Sequence, residues 1–202
     1  MPEADSFLTI KGDSDSLLKE KGSKFIGFAT RINDENEVKT NLDLIRKKSR
    51  DATHHCYAYR IGIGDDIRAI SSDDGEPSGS AGAPMLAVLE GAGLTNILAV
   101  VTRYYGGTKL GVGGLARAYG GCVKELINNA EIVEQIARAK LEVLVDYNLL
   151  SAVLKTASAF KAEISQGYKG DKAFVQLSVR NSELDNLRSE LIDATHGSAI
   201  IN

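Results

Sequence analysis

One segment of the chain combines glycine and basic side chains in a pattern that suits anion binding. Residues 103–117 read RYYGGTKLGVGGLAR and include no acidic residue. Glycines let a ligand approach the backbone, and a helix that follows presents unpaired N–H groups with partial positive charge. We therefore predict that this segment binds phosphate or nucleic acid through Arg103, Gly106, Gly107, Lys109, Gly111, Gly113, Gly114 and Arg117. The alternative is that the glycines only permit tight turns and close helix packing, while the cations are solvated.

The established phosphate motifs do not fit this segment. A P-loop requires Lys-Ser or Lys-Thr after its last glycine, whereas Gly111 precedes Val112. Gly111, Gly113 and Ala116 match a relaxed dinucleotide fingerprint, and Glu131 lies about 20 residues further on, where that motif has an acid. However, several residues separate the predicted upstream strand from Gly111, where the fingerprint needs a tight turn. We predict no cofactor.

A second polar segment, residues 71–82, reads SSDDGEPSGSAG and is predicted to be a loop. Its three acids suit magnesium binding or acid–base chemistry, although solvated loop acids are the simpler interpretation. Consecutive residues on a strand point to opposite faces, so at most one of two adjacent histidines lines a site with Arg60, and one packed and one exposed histidine is expected. The possible second part of the site is Asp73, Asp74, Glu76, Ser78, His54, His55 and Arg60. No Gly-x-Ser-x-Gly frame supports Ser78 as a nucleophile.

The composition restricts which kinds of binding site and which cellular compartment we expect. The 24 basic and 27 acidic side chains give a formal net charge of −3, so any polyanion site must be local. Cys56 and Cys122 lack metal-ligand spacing, which predicts no metal site and a reduced, cytoplasmic protein. Residues 1–15 have no basic segment followed by an apolar core, so no signal peptide is predicted, and no apolar run is long enough to cross a membrane.

The elements that position these segments follow from hydrophobic periodicity. Asp34 is a candidate helix cap, and Val38, Leu42 and Ile45 repeat at helical spacing behind it. Alternating and continuous apolar runs predict strands at 24–32, 56–63, 67–70 and 97–101. Pro84 suits the first turn of another helix, and a long buried helix is predicted from Val112.

The C-terminal part has a different rhythm, with alternating segments at 139–145 and 173–179 and two short helical segments. Asp146 and Ser182 are candidate helix caps. With strands at 161–168 and 198–201, the order is βαββαβ. We place a domain boundary near residues 135–138, which predicts an α+β protein with domains at 1–136 and 137–202.

Four segments resemble the YigZ/IMPACT family: KGSKFIGFA, DATHHCYAYRIG, DDGEPSGSAGAPML and VTRYYGGTKLGVGGLARAYG. Tyr105, where a Phe is usual, and Ser80, where a Thr is usual, are mild departures. The resemblance implies an N-terminal domain with the ribosomal protein S5 domain 2-like fold, similar to domain IV of elongation factor G. The C-terminal part would be ferredoxin-like, similar to domain V of that factor.

The resemblance also carries a functional expectation, because eukaryotic relatives regulate translation under amino-acid starvation by competing with a protein kinase for its activator. We therefore expect a non-enzymatic, translation-linked module that binds RNA, the ribosome or a translation-related protein through the glycine-rich segment. The alternative is a hydrolase or other enzyme that acts on a phosphorylated or peptide-like small molecule with Asp73, Asp74 and Glu76. A protein–protein adaptor is a third possibility. The sequence does not predict the oligomeric state.

Overall fold

A computed structural model describes residues 5–202, and residues 1–4 of the polar N-terminus lie outside this range. The chain forms two compact units. The N-terminal unit spans Phe7–Gln135, and the C-terminal unit contains Ile136–Asn202 together with Asp5 and Ser6. The predicted α+β class is confirmed. Within residues 5–202, no helix is both long and apolar enough to cross a membrane.

The bounds of the elements are as follows. The strands are β1 (Ser6–Ile10), β2 (Ser14–Glu20), β3 (Ser23–Arg31), β4 (His54–Ile61), β5 (Arg68–Ser72), β6 (Ile97–Tyr104), β7 (Ile132–Ile136), β8 (Arg138–Val145), β9 (Glu163–Lys169), β10 (Lys172–Arg180) and β11 (Ile200–Ile201). The helices are α1 (Glu35–Lys48), α2 (Gly82–Gly91), α3 (Val112–Asn129), α4 (Leu150–Ala159) and α5 (Leu184–Ala194).

The N-terminal unit is built on a five-stranded antiparallel sheet with the order β2-β3-β6-β4-β5. β6 is the central strand and is buried along nearly its whole length, as its continuous apolar run predicted. Helices α2 and α3 pack on one face around Met85 and Tyr119. Helix α1 packs on the other face through Val38 and Leu42, and Asp34 caps it by accepting the N–H of Glu37, as predicted.

The first two strands were not predicted, because two of the three residues that β2 turns to the core are serines, with Leu18 as the third. Ser14 Oγ donates to Leu126 O at 2.8 Å, and Ser16 Oγ donates to Cys122 O at 3.0 Å. These bonds tie β2 to α3 and satisfy buried polar groups without hydrophobic alternation. β1 and β7, also unpredicted, form a separate two-stranded sheet.

The C-terminal unit has the order β8-α4-β9-β10-α5-β11 and a sheet with the strand order β11-β8-β10-β9. Both predicted side-chain caps in this unit are wrong. Asp146 makes no capping bond and instead lies 3.5 Å from Lys172 Nζ. The Ser182 hydroxyl donates to the carboxylate of Asp5, because both residues belong to this unit although they are far apart in sequence.

Candidate anion-binding loop and its buried support

The glycine loop, residues 105–111, joins the end of β6 to the start of α3. Gly106 packs so tightly that an added Cβ would lie 1.9 Å from the carbonyl carbon of Gly22. This position therefore needs glycine for close backbone packing. Gly107 has a φ of 86° and open space around it, so its backbone is accessible from outside. Gly106 therefore fits the interpretation that loop glycines permit close packing, whereas Gly107 leaves room for a ligand at its backbone.

Helix α3 begins with an open N-terminus. Gly111 occupies the cap position with a φ of 71°, and it has no side chain to accept the first N–H groups. Lys109 and Arg117 lie beside this end with exposed side chains. Neither forms an ion pair or side-chain hydrogen bond with any residue in the range 5–202. Unfilled N–H groups and two solvated cations therefore lie together at the surface.

Arg103 differs from the other two cations, and the expectation that its charge is uncompensated is wrong. Its side chain is only 7% exposed, and Nη1 donates to Glu76 Oε1 at 2.6 Å. The guanidinium also lies 5.4 Å from the centre of the Phe25 ring and 5.5 Å from that of Tyr105. Its Nε is buried and has no partner among the described residues. Arg103 therefore lies beneath the glycine loop as half of a buried ion pair.

Glu76 connects the two polar loops that the sequence left unplaced relative to each other. Besides Arg103, its Oε1 accepts the hydroxyl of Tyr119 at 2.7 Å, and His54 Nε2 lies 3.9 Å away. Burial, together with Cys56 and Glu76, raises the pKa of Tyr119, so this hydroxyl keeps its proton and donates. The glycine loop and the acidic loop are therefore neighbours with a shared, buried polar centre.

Sequence spacing placed Tyr119 only in the core, and its bond to Glu76 was missed. A buried tyrosine hydroxyl usually finds a hydrogen-bond partner. That rule signals a polar partner near α3 but does not identify it as Glu76.

The other two acids hold the acidic loop in shape. Asp73 accepts backbone N–H groups from Gly79, Ala81 and Gly82 at 2.8–2.9 Å. Burial alone would raise the pKa of Asp73, but these bonds lower it below its ordinary value. Asp74 has a φ of 44°, which is unusual for a residue with a side chain.

Neither histidine is exposed, so the expectation of one packed and one exposed histidine is wrong. Both histidines contact Asp74. Asp74 Oδ2 accepts the backbone N–H of His55 at 2.6 Å, and the backbone carbonyl of Asp74 is hydrogen-bonded to the His54 ring at 2.7 Å. The side chains of His54 and His55 are 20% and 11% exposed. Burial lowers the pKa of His55, which favours its neutral form. On its other side, Asp74 Oδ1 accepts Arg46 at 3.0 Å.

Two of the predicted site residues lie apart from this centre. Arg60 is at the far end of β4, about 20 Å from His54 at ~3.3 Å per residue, and its Nη1 donates to Leu94 O. Ser78 belongs to the acidic loop but points to solvent, and no described residue bonds its hydroxyl. Neither residue completes a catalytic constellation.

A hollow of about 470 Å³ lies between the two loops. Its lining residues are Glu76, Pro77, Arg103, Tyr105, Lys109, Leu110, Gly111, Val112 and Leu115. The walls are mostly apolar, and the charged groups at its floor already neutralise each other. Within residues 5–202, no group of three His, Cys, Asp or Glu side chains has an arrangement that could hold a metal ion. The hollow is therefore a mostly apolar cleft above a charge-paired floor.

Comparison with known proteins identifies the family. A family model described as the Impact N-terminal domain matches residues 21–127. IMPACT family member YvyE of Bacillus subtilis is 34% identical over 196 residues, which cover 97% of this chain and 90% of that protein. IMPACT family member YigZ of Escherichia coli is 32% identical over 179 residues, which cover 88% of each chain.

A crystal structure of a hypothetical protein extends the match to three dimensions. It superposes with a TM-score of 0.73 at 30% identity and covers 98% of this chain and 96% of that one. The predicted resemblance is thus confirmed by sequence along nearly the whole chain. This chain belongs to the IMPACT family.

Proposed function

We propose that this protein is a non-enzymatic, translation-linked module that binds RNA phosphates through the glycine loop and the N-terminus of α3. One observation carries the proposal: the uncapped start of α3 is exposed between Lys109 and Arg117, two cations that no residue of the range 5–202 pairs with. Phosphate oxygens accept hydrogen bonds from such N–H groups and are attracted by both charges. Gly107 and Gly111 keep side chains away from this approach.

Family membership supports the translational context, because eukaryotic relatives implied by the sequence resemblance regulate translation. The domain assignments are part of the same proposal. We assign the ribosomal protein S5 domain 2-like fold to the N-terminal unit, predicted as 1–136, and a ferredoxin-like fold to the C-terminal unit, predicted as 137–202. The two folds are similar to domains IV and V of elongation factor G. The strand order β11-β8-β10-β9 supports the second assignment. The proposal also places the protein in the cytoplasm, where a ribosome or a translation-related protein would present the RNA.

The enzyme alternative required the two loops to be neighbours, and they are. Its acids, however, already have structural partners. Asp73 accepts three backbone N–H groups, Asp74 accepts Arg46 and the His55 N–H, and Glu76 is paired with Arg103. Using any of them to bind magnesium or to transfer a proton would break bonds that shape the loop. Binding without catalysis therefore fits this geometry better.

The test is the affinity of the full chain for fluorescent single-stranded RNA and for ribosomes, measured across a salt series. The variant is Lys109→Ala/Arg117→Ala, which leaves the buried Arg103 untouched. The control is Lys140→Ala/Lys155→Ala, which removes the same charge from exposed positions of the C-terminal unit. We expect steep salt dependence in the wild type, and a salt slope lowered by roughly 1.4 in the loop variant at ~0.7 per lost contact.

Three results would contradict the proposal. They are no binding to either RNA or ribosomes, an affinity that does not respond to salt, and equal losses in the loop variant and the control. Binding to ribosomes with none to free RNA would retain the role of the loop and indicate that the ribosome supplies the partner surface.

A further inference from the structure

No helix in the described range 5–202 packs over one half of the second face of the large sheet. Helix α1 covers the part formed by β4 and β6, through contacts with Tyr59 and Leu98. On β2 and β3, in contrast, Leu17 is 59% exposed and Ile26 is 41% exposed. These two residues are direct cross-strand neighbours and therefore point to the same side. They form a continuous apolar surface open to solvent.

Next to this apolar pair, two lysines face each other across the same two strands. Lys19 is the direct partner of Lys24 in the antiparallel register, and both are exposed. Like charges in directly opposed positions destabilise a sheet. No residue in the described part of the chain forms an ion pair with either lysine. Because this lysine pair lowers stability and no described residue neutralises it, we expect a bound ligand to supply the negative charge.

An aromatic side chain continues the same row of the sheet. Tyr104 on β6 is the cross-strand partner of Lys24, and its hydroxyl donates to Asp51 Oδ1 at 3.4 Å. A hollow of about 480 Å³ lies over this row. Its lining residues are Gly22, Lys24, Ile26, Asp51, Tyr104 and Tyr105. Asp51 is the acidic residue among those that line this hollow, and it accepts the hydroxyl of Tyr104.

We infer that this sheet face is a platform for single-stranded RNA, on which bases stack against Tyr104 and Ile26 while Lys19 and Lys24 hold the phosphates. Aromatic side chains on an open antiparallel sheet, flanked by basic residues, are a general solution for binding unpaired bases. The inference rests on the proposed function and adds to it the path that the RNA takes over the protein surface. Tyr105 lines both this hollow and the one beneath the glycine loop, so the two surfaces adjoin.

The charges also argue against other occupants of this face. An apolar peptide would cover Leu17 and Ile26 only by burying Lys19 and Lys24 without counter-charges. Burying unpaired ammonium groups is strongly unfavourable. An RNA strand supplies one phosphate per nucleotide and leaves the bases free to contact the apolar row.

Two variants of the full chain test the platform. Tyr104→Leu keeps apolar volume and removes the ring, and we expect its affinity for a labelled single-stranded RNA oligomer to fall about fivefold or more. Lys19→Ala/Lys24→Ala should lower the salt slope by roughly 1.4 and should leave the urea midpoint unchanged or raised, because the repulsion is removed. Lys140→Ala/Lys155→Ala is again the charge-matched control, and far-ultraviolet circular dichroism checks that each variant is folded.

The loop variant Lys109→Ala/Arg117→Ala separates the two proposals. Loss of affinity in the sheet-face variants supports the platform. If the loop variant binds RNA like the wild type, only the proposal about the glycine loop is overturned. Wild-type affinity in both sheet-face variants overturns the platform, even where the loop variant fails. The platform is also overturned if an acidic peptide binds as tightly as RNA, or if the chain forms a dimer that Leu17→Ser abolishes.

Discussion

Arg103 Nη1 donates to Glu76 Oε1 at 2.6 Å, and both side chains are more than nine-tenths buried. This pair joins the end of β6 to the acidic loop and lies beneath the glycine loop. Its members are 27 positions apart in sequence. Each buried charge is compensated by the other, so this contact links the acidic loop to the strand that leads into the glycine loop.

Glu76→Gln should destabilise the protein strongly. The substitution leaves the Arg103 guanidinium buried without its counter-charge, which typically costs about 3–5 kcal/mol. The free energy of unfolding in urea measures the effect. The matched control is Glu131→Gln, which breaks an exposed pair with Lys11 at a similar distance, 2.9 Å, and should cost at most about 1 kcal/mol. Equal losses in the two variants would show that burial of the pair does not matter.

Asp73→Asn should destabilise the protein in a pH-dependent way. The folded pKa of Asp73 is lowered from 3.8, so the carboxylate contributes stability above the unfolded value and loses that contribution as the pH falls through the folded pKa. The difference in unfolding free energy between wild type and variant should thus be full above about pH 5 and shrink at lower pH. Asp43→Asn, on an exposed residue of α1, is the control. A difference that stays constant with pH would refute this role for the charge.

Alanine substitutions of Gly106 in the glycine loop and of Gly113 in the first turn of α3 should have opposite effects. Gly106→Ala places a Cβ 1.9–2.3 Å from the Gly22–Ser23 backbone, and such overpacking typically costs about 1–3 kcal/mol. Gly113→Ala lies in the first turn of α3, where the new Cβ meets only the end of Arg117 at 3.7 Å, so we expect a gain of up to ~1 kcal/mol. Urea denaturation compares the two. A stable Gly106→Ala protein would mean that the β2–β3 turn yields readily.

Neither cysteine should react with a thiol reagent in the folded protein. Burial raises the pKa of Cys56 to about 12 and also raises the pKa of Cys122, and only the thiolate is nucleophilic. Ellman's reagent should therefore show little reaction near neutral pH and should titrate both cysteines in concentrated urea. Rapid labelling of one thiol without denaturant would show that its surroundings open easily.

The local patterns of the sequence determined several elements correctly. Helix α1, with its Asp34 cap, the buried strand β6 and the long helix α3 all follow from hydrophobic spacing within one segment. The family motifs identified the N-terminal unit for the same reason, since each is a continuous run of residues. Strand β2 was not predicted because most of its core contacts are serine hydroxyls bonded to carbonyls of α3, and hydroxyls give no periodic hydrophobic signal.

Only the tertiary structure decided which charges are available at the surface. In sequence, Arg103, Lys109 and Arg117 are equivalent cations in one glycine-rich run, yet Arg103 lies on a central strand where Glu76 neutralises it. The facing lysines on β2 and β3 become a pair through the register of the hairpin. The partners of a side chain depend on strand order and chain packing, which bring distant segments together. Spacing within one segment determines the face of a residue, whereas its counter-charge comes from elsewhere in the fold.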